Sequence, residues 1–194
     1  MTQKPPLILA SSSPRRLSLL KDIGIVPDAV LPADMDETPL PRELPRALAL
    51  RLACEKGRII AAQKPNCYVL SGDTVVACGR RILPKAESVE QVIECLSLLQ
   101  GRRHQIYTGV ALSLPDGRQI SRVADSTVTF RQMSHAEIVA YAACGEGVGK
   151  AGGYAIQGRA SAYIRAMSGS HSCIMGLPLF DVAQMLRGAG YLLT

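Results

Sequence analysis

The segment Leu9-Ala10-Ser11-Ser12-Ser13-Pro14-Arg15-Arg16 sets three hydroxyls and two guanidinium groups where a helix should begin. A helix start exposes backbone N–H groups and the positive end of the helix dipole, which favour an anion. Two arginines there are unfavourable alone and favourable once a multiply charged oxyanion arrives. Hydroxyls, guanidiniums and free N–H groups all donate hydrogen bonds, so Ser13, Arg15 and Arg16 fit a phosphate chain. The competing reading has both arginines in solvent and Ser13 only capping the helix. The segment by itself leaves both open.

Phosphate chemistry also needs carboxylates for a metal ion, and Mg²⁺ takes only one or two, keeping waters and substrate oxygens. Asp73, in Ser71-Gly72-Asp73-Thr74, follows an apolar run, and ligands of α/β folds gather at the carboxyl ends of strands. Glu37, in the acidic stretch Asp34-Met35-Asp36-Glu37-Thr38-Pro39, is a second candidate. Lys56 and Lys85 are possible charge partners for a substrate. The bland alternatives are a turn or cap for Asp73, a solvated loop for Glu37 and surface positions for the lysines. Gln157, beside Gly158, could bond a base edge or simply end a strand.

Two motif matches fail. Cys144-Gly145-Glu146-Gly147-Val148-Gly149-Lys150-Ala151 has Cys where a P-loop needs its first Gly and Ala where it needs Ser or Thr. It also follows a helical stretch, and its glycines alternate, unlike a dinucleotide-binding fingerprint. Ser170-His171-Ser172 lacks the elbow of a serine hydrolase, which favours a structural or hydrogen-bonding role for His171.

The elements that must position these groups read as follows. Residues 6–10 form a buried strand. Ser13 caps a helix with Pro14 at its first position, Leu17, Leu20 and Ile23 follow at helical spacing, and Gly24 stops it. Residues 28–31 form a weak strand and 44–63 a long amphipathic helix. Residues 68–71 form a strand ending at Gly72-Asp73-Thr74, with 75–78 continuing it and Gly79-Arg80-Arg81 turning a hairpin. A helix spans 88–99. Strands 104–114 and 119–131 are joined by Pro115-Asp116-Gly117, a strong turn signal. Ser134 and Glu137 have capping-box spacing. A glycine-rich loop at 145–153, a strand at 162–167, a turn at Ser168-Gly169-Ser170 and a helix at 178–187 complete the chain. Strands alternating with helices around one antiparallel hairpin argue for a single α/β domain over residues 1–194, with a mixed sheet and two lobes.

Composition narrows the function classes. The chain has 194 residues, 47% of them hydrophobic, enough for a substantial core. No run of about 18 apolar residues is present to span a membrane, and the N-terminus lacks a signal-like apolar stretch, so a cytoplasmic protein is expected. The six cysteines form no C-x-x-C pair and gather no histidine, which argues against zinc and for small buried hydrophobes in a reducing compartment. The net charge of +6, mostly arginine, suits polyanions. Two Phe and no Trp leave no stacking platform for single strands, so charge alone does not indicate nucleic acid.

Taken in order, several of these pieces resemble the Maf family of septum-formation-type nucleoside triphosphate pyrophosphatases. They are the serine–arginine opening, Asp36-Glu37-Thr38, Arg51-Leu52-Ala53-Cys54-Glu55-Lys56, Ser71-Gly72-Asp73-Thr74, the run from Lys150 to Gly158, and Gly176-Leu177-Pro178-Leu179. Any one is weak; the ordered set is specific. The resemblance implies an elongated mixed β-sheet with flanking helices and two lobes around a cleft. It implies cleavage of a nucleoside triphosphate to the monophosphate and pyrophosphate with a divalent cation, Mg²⁺ or Mn²⁺, and a homodimer as the family's assembly.

Carried onto this chain, the family's proposed general base is Asp73. Argued from the chemistry beside the resemblance, Arg15, Arg16, Lys56 and Lys85 are expected to bind the triphosphate, and Glu37 and Asp73 to hold the metal directly or through water. Arg15, Thr74 and Gln157 mark the branch that acts on dTTP and UTP, with Thr74 and Gln157 reading the pyrimidine. An Asp beside a metal stays ionised, so orienting the water matters more than taking its proton. One departure stands out: where the family reads Lys-Pro after the second hairpin strand, this chain has Lys85-Ala86. Two rival readings remain. One is a nucleic-acid-binding or division-regulating protein using the same arginines. The other is a related enzyme for deaminated purine triphosphates, told apart by base preference.

Overall fold

A computed structural model describes residues 5–191; residues 1–4 and 192–194 lie outside them, and with them part of the N-terminal segment behind the expectation of no export. The strands form one mixed seven-stranded sheet in the order Ala29–Val30 (β2), Leu7–Ala10 (β1), Tyr68–Cys78 (β3), Arg103–Ser113 (β5), Gln119–Phe130 (β6) and Ile164–Ser168 (β7), with Arg81–Leu83 (β4) beside β3. Leu7–Ala10 (β1) is wholly buried, as its unbroken apolar run demands, and lies parallel to both Ala29–Val30 (β2) and Tyr68–Cys78 (β3). Arg81–Leu83 (β4), Arg103–Ser113 (β5), Gln119–Phe130 (β6) and Ile164–Ser168 (β7) add antiparallel pairs. The β5–β6 hairpin turns at Gly117, whose φ of +87° suits glycine.

β3 determines where a ligand can enter. On one edge it pairs β5 throughout its middle. On the other, β1 pairs it only as far as Ser71, opposite Ala10, and β4 joins only at Val76, opposite Leu83. Between them, Gly72 to Val75 meet no strand on that side among the described residues. The sheet thus opens at the point where a parallel neighbour leaves and an antiparallel one arrives. The expected break at Gly72-Asp73-Thr74 is therefore corrected: β3 is one continuous eleven-residue strand, and the carboxyl end at the opening belongs to β1.

The side chains of β3 alternate between two layers. Leu70 and Val76 face two separate cores. One packs β1 and β3 against Pro14–Asp22 (α1) and Leu179–Gly188 (α6); the other packs β3, β5 and β6 against Val89–Leu99 (α3) and His135–Ala143 (α4). Val69 and Val75 face Pro45–Gln63 (α2), through Ile60 and through Leu48 and Leu52. α2 sits so close to β5 that a Cβ on Gly109 would overlap the Ala49 carbonyl.

Two further expectations are corrected, and one element was not foreseen. The strand foreseen at 162–167 begins as a 3₁₀ turn, Arg159–Tyr163, and becomes β7 only at Ile164. A short helix, His171–Met175 (α5), follows Ser170, whose Oγ accepts the Cys173 N–H; five residues are too few for a periodicity signal. Of the cysteines, all free, only Cys95 and Cys173 are buried. No helix among the described residues is long and apolar enough to cross a membrane.

Candidate active site

A cleft of about 530 Å³ occupies the opening beside β3, and every residue assigned to the phosphate, metal or base from the sequence lines it: Ser13, Arg15 and Arg16 from the start of α1, Glu37 from the acidic loop, Lys56 from α2, Asp73 and Thr74 from β3, Lys85 beyond β4, and Gln157. It also gathers Lys150 and Tyr154, to which the sequence assigned no role. Five cationic side chains and two carboxylates give its walls a net charge of +3. The sequence held a signal for Lys150, which opens the run ending at Gln157 and Gly158.

Arg15 and Arg16 are both part-buried at the cleft rather than free in solvent. Arg16 is built into the protein. Its Nε donates to the Gly176 carbonyl at 2.7 Å, Nη1 to Ser11 Oγ at 3.2 Å and Nη2 to Thr74 Oγ1 at 3.3 Å. Burial lowers its pKa, and the charge of Asp73 opposes that. Arg15 makes no hydrogen bond or ion pair among the described residues, and burial lowers its pKa too. Ser13 occupies the N-cap position, but its side chain makes no capping bond; its N–H donates to Ser11 Oγ. The capping expectation is corrected, and the Ser13 hydroxyl keeps its capacity for a ligand.

Thr74 is held from both sides. Its Oγ1 lies 3.1 Å from Thr108 Oγ1, and the buried Thr108 hydroxyl donates to the Cys173 carbonyl at 2.8 Å. The Thr108 proton being used, Thr74 donates to Thr108 and accepts from Arg16. Any further partner of Thr74 meets an acceptor lone pair.

Asp73 faces the opposite side of β3, toward α2. Lys56, 7% exposed, places its Nζ 2.5 Å from Asp73 Oδ1 and 2.7 Å from Glu37 Oε1. Its reading as a surface lysine is corrected: with Leu48, Leu52 and Ile60 it occupies one buried stripe of α2 at four-residue spacing, a signal visible in the sequence. Burial acts to raise the Glu37 pKa, but the hydrogen bond and charge of Lys56, with Lys85, outweigh it and hold the carboxyl below its ordinary range. Lys85 reaches Glu37 Oε2 at 3.1 Å, so Glu37 ties α2 to the segment after β4 and is no mere solvated loop residue.

The Lys85-Ala86 departure has a structural use. Lys85 bridges Ala151, and the Ala86 N–H donates to the Lys150 carbonyl at 3.1 Å, a bond proline could not make. This pairing brings Lys85 and Lys150 to the same wall. Gln157 does not end a strand; it stands in an irregular turn and is exposed.

The Maf-like protein family matches residues 6–189. The chain belongs to this family. It is 53% identical over 191 residues to the dTTP/UTP pyrophosphatase of Caulobacter vibrioides, covering 98% of this chain and 99% of that one. It is 56% identical over 185 residues to the dTTP/UTP pyrophosphatase of Paramagnetospirillum magneticum, covering 95% and 97%. Among solved structures, the Ham1 protein of Staphylococcus aureus matches with a TM-score of 0.52 at 16% identity, over 94% of this chain and 98% of that one, a likeness of fold. The Maf-like chain thus has the mixed sheet with flanking helices that its sequence implied.

Proposed function

We propose that the protein hydrolyses dTTP and UTP to the monophosphate and pyrophosphate. The observation that carries this reading is the meeting of a strongly cationic cleft with a buried carboxylate, Asp73, at the open edge of β3. The relatives' activity supports the pyrimidine preference. Cations turned into an enclosed cleft suit a triphosphate better than an extended polynucleotide, which needs a row of contacts along a surface.

Water attacks the α-phosphorus in line with the leaving group. The new P–O bond forms as the bond to the β-phosphate oxygen breaks, and pyrophosphate leaves with the electron pair. Arg15, Arg16, Lys85 and Lys150 hold the chain and offset its charge, while Ser13 and the start of α1 donate hydrogen bonds. Asp73 orients the water and receives or passes on its proton. Lys56 keeps Asp73 fixed in place. Gln157 meets the base, with Thr74 as an acceptor near it.

Two hard carboxylate donors sharing one ammonium fit a divalent cation that fills its other positions with phosphate oxygens and water. Glu37 and Asp73 would hold Mg²⁺ or Mn²⁺ in this way. When bound, the ion supplies positive charge against the phosphate oxygens. Because the walls already carry a net positive charge, the cation is expected to enter with the nucleotide. The nucleotide pools of the cytoplasm are the expected setting.

The test is pyrophosphate release from dTTP, UTP, methylated GTP, inosine triphosphate and the common nucleotides, with Mg²⁺ or Mn²⁺, beside Asp73→Asn. Selective turnover of dTTP and UTP, reduced at least about 100-fold by the substitution, is expected. No turnover of any nucleotide, or an active Asp73→Asn, would overturn the reading.

A further inference from the structure

The failed P-loop match contains Glu146, which the reaction does not use. The loop from Cys144 to Ala151 instead runs beneath the turn that carries Gln157. Glu146 Oε1 accepts the Arg159 N–H at 3.0 Å, two residues after Gln157. The Tyr141 hydroxyl accepts the Ala155 N–H at 3.2 Å, two residues before it. Tyr141 is buried, and burial raises its pKa, with the neighbouring Glu146 carboxylate adding to the effect. The phenol therefore stays protonated beside an acceptor. Gly158 completes the fit, since a Cβ there would overlap the Glu146 carboxylate.

The Glu146 carboxylate buries its Oε2 atom and lies beside the Tyr141 phenol. Taking a carboxylate oxygen out of water costs more than burying an apolar side chain would. What the carboxylate supplies is an acceptor for one backbone N–H, at a point where the chain must be held. Between the two anchored residues, Gln157 makes no hydrogen bond among the described residues and extends at the cleft.

We propose that Glu146, together with Tyr141, is a positioning residue for base selection, clamping the backbone on both sides of Gln157 so that its side chain starts from one fixed place at the cleft. The inference rests on Gln157 as the group that meets the base. A side-chain amide selects a pyrimidine edge only where it can reach it, and a fixed backbone limits where it arrives.

The experiment compares kcat/KM for dTTP and dCTP, whose ring edges exchange donor and acceptor at both N3 and the 4-position, together with inhibition by pyrophosphate. Gln157→Ala should lower the dTTP preference. Glu146→Ala should lower it by a similar factor, about tenfold, and the double variant should fall no further, because the two act as one unit. Glu146→Gln keeps an acceptor for the Arg159 N–H and should retain most of the preference. Tyr141→Phe removes only the hydroxyl and should give a smaller loss in the same direction; it carries the test if Glu146→Ala does not fold. Pyrophosphate inhibition should not change in any of these variants.

A uniform loss for both nucleotides in Glu146→Ala and Tyr141→Phe, with the preference intact, would overturn the proposal. So would additive losses in the double variant. If Gln157→Ala itself left the preference unchanged while dTTP was still cleaved, base reading by Gln157 and this inference would fall together, and the pyrophosphatase reading would stand.

Discussion

Lys56 carries much of the site's charge balance. It is a buried cation between two carboxylates, and Asp73, its nearer partner, is itself only 5% exposed. Removing one member of a buried ion pair leaves the other without a counter-charge, which typically costs about 3–5 kcal/mol. Lys56→Met is therefore expected to destabilise the fold by roughly 3 kcal/mol in urea denaturation and to abolish turnover. It should also raise the Glu37 pKa, because the Lys56 hydrogen bond and charge oppose burial there. Arginine is not an equivalent substitute, since its planar fork cannot fill the place of a compact ammonium. A Lys56→Met protein of unchanged stability would mean that Asp73 and Glu37 do not depend on this cation. Lys56 was legible in part: its four-residue spacing from apolar neighbours marks a buried stripe. Its partners were not, since Glu37 and Asp73 reach it through tertiary structure alone.

At the scale of the elements, the cleft exists because β1 ends and β4 begins at different points along β3. No local signal reports that. Ser13-Pro14, Pro115-Asp116-Gly117 and the Ser134–Glu137 capping box act within a few residues, and the elements they bound were readable from the chain. The pairing of Ala10 with Ser71 and of Leu83 with Val76 is set by packing of distant segments, so β3 looked broken where it is only unpaired on one side. Depth is set in a similar way by Gly109, which lets α2 lie against β5 and hold Lys56 beside Asp73. Gly109→Ala places a methyl group against the Ala49 carbonyl, and backbone cannot give way as a flexible side chain would. The expected result is a loss of about 1–3 kcal/mol in urea, with a fall in kcat larger than the change in KM as Lys56 and Asp73 separate. Unaltered stability and kcat would show that α2 tolerates a wider spacing.

Across the whole molecule, the cleft is joined to a core through Tyr154, which lines the cleft and bonds a fully buried histidine. His104 Nε2 lies 2.8 Å from the Tyr154 hydroxyl, its ring stacks on Phe130 at 5.6 Å, and Nδ1 has no partner among the described residues. Burial lowers its pKa from 6.5 to about 4, with no compensating carboxylate. Between those values the unfolded chain holds the proton and the folded chain does not. Stability due to this group is therefore complete above pH 6.5, declines as the pH falls toward 4, and changes little below that. A shift of this size corresponds to about 3 kcal/mol over the full window. Glu37 titrates in acid as well, so the wild-type curve alone cannot assign the slope to His104. His104→Gln supplies a non-titrating partner for Tyr154, and the difference between the two proteins isolates the histidine. The gap in unfolding free energy between wild type and His104→Gln should narrow or reverse in favour of the variant as pH falls from 7 to 4. A gap that does not change with pH would mean that His104 takes up its proton without cost to the core, and that the aromatic cluster beneath Tyr154 opens readily enough to hydrate it.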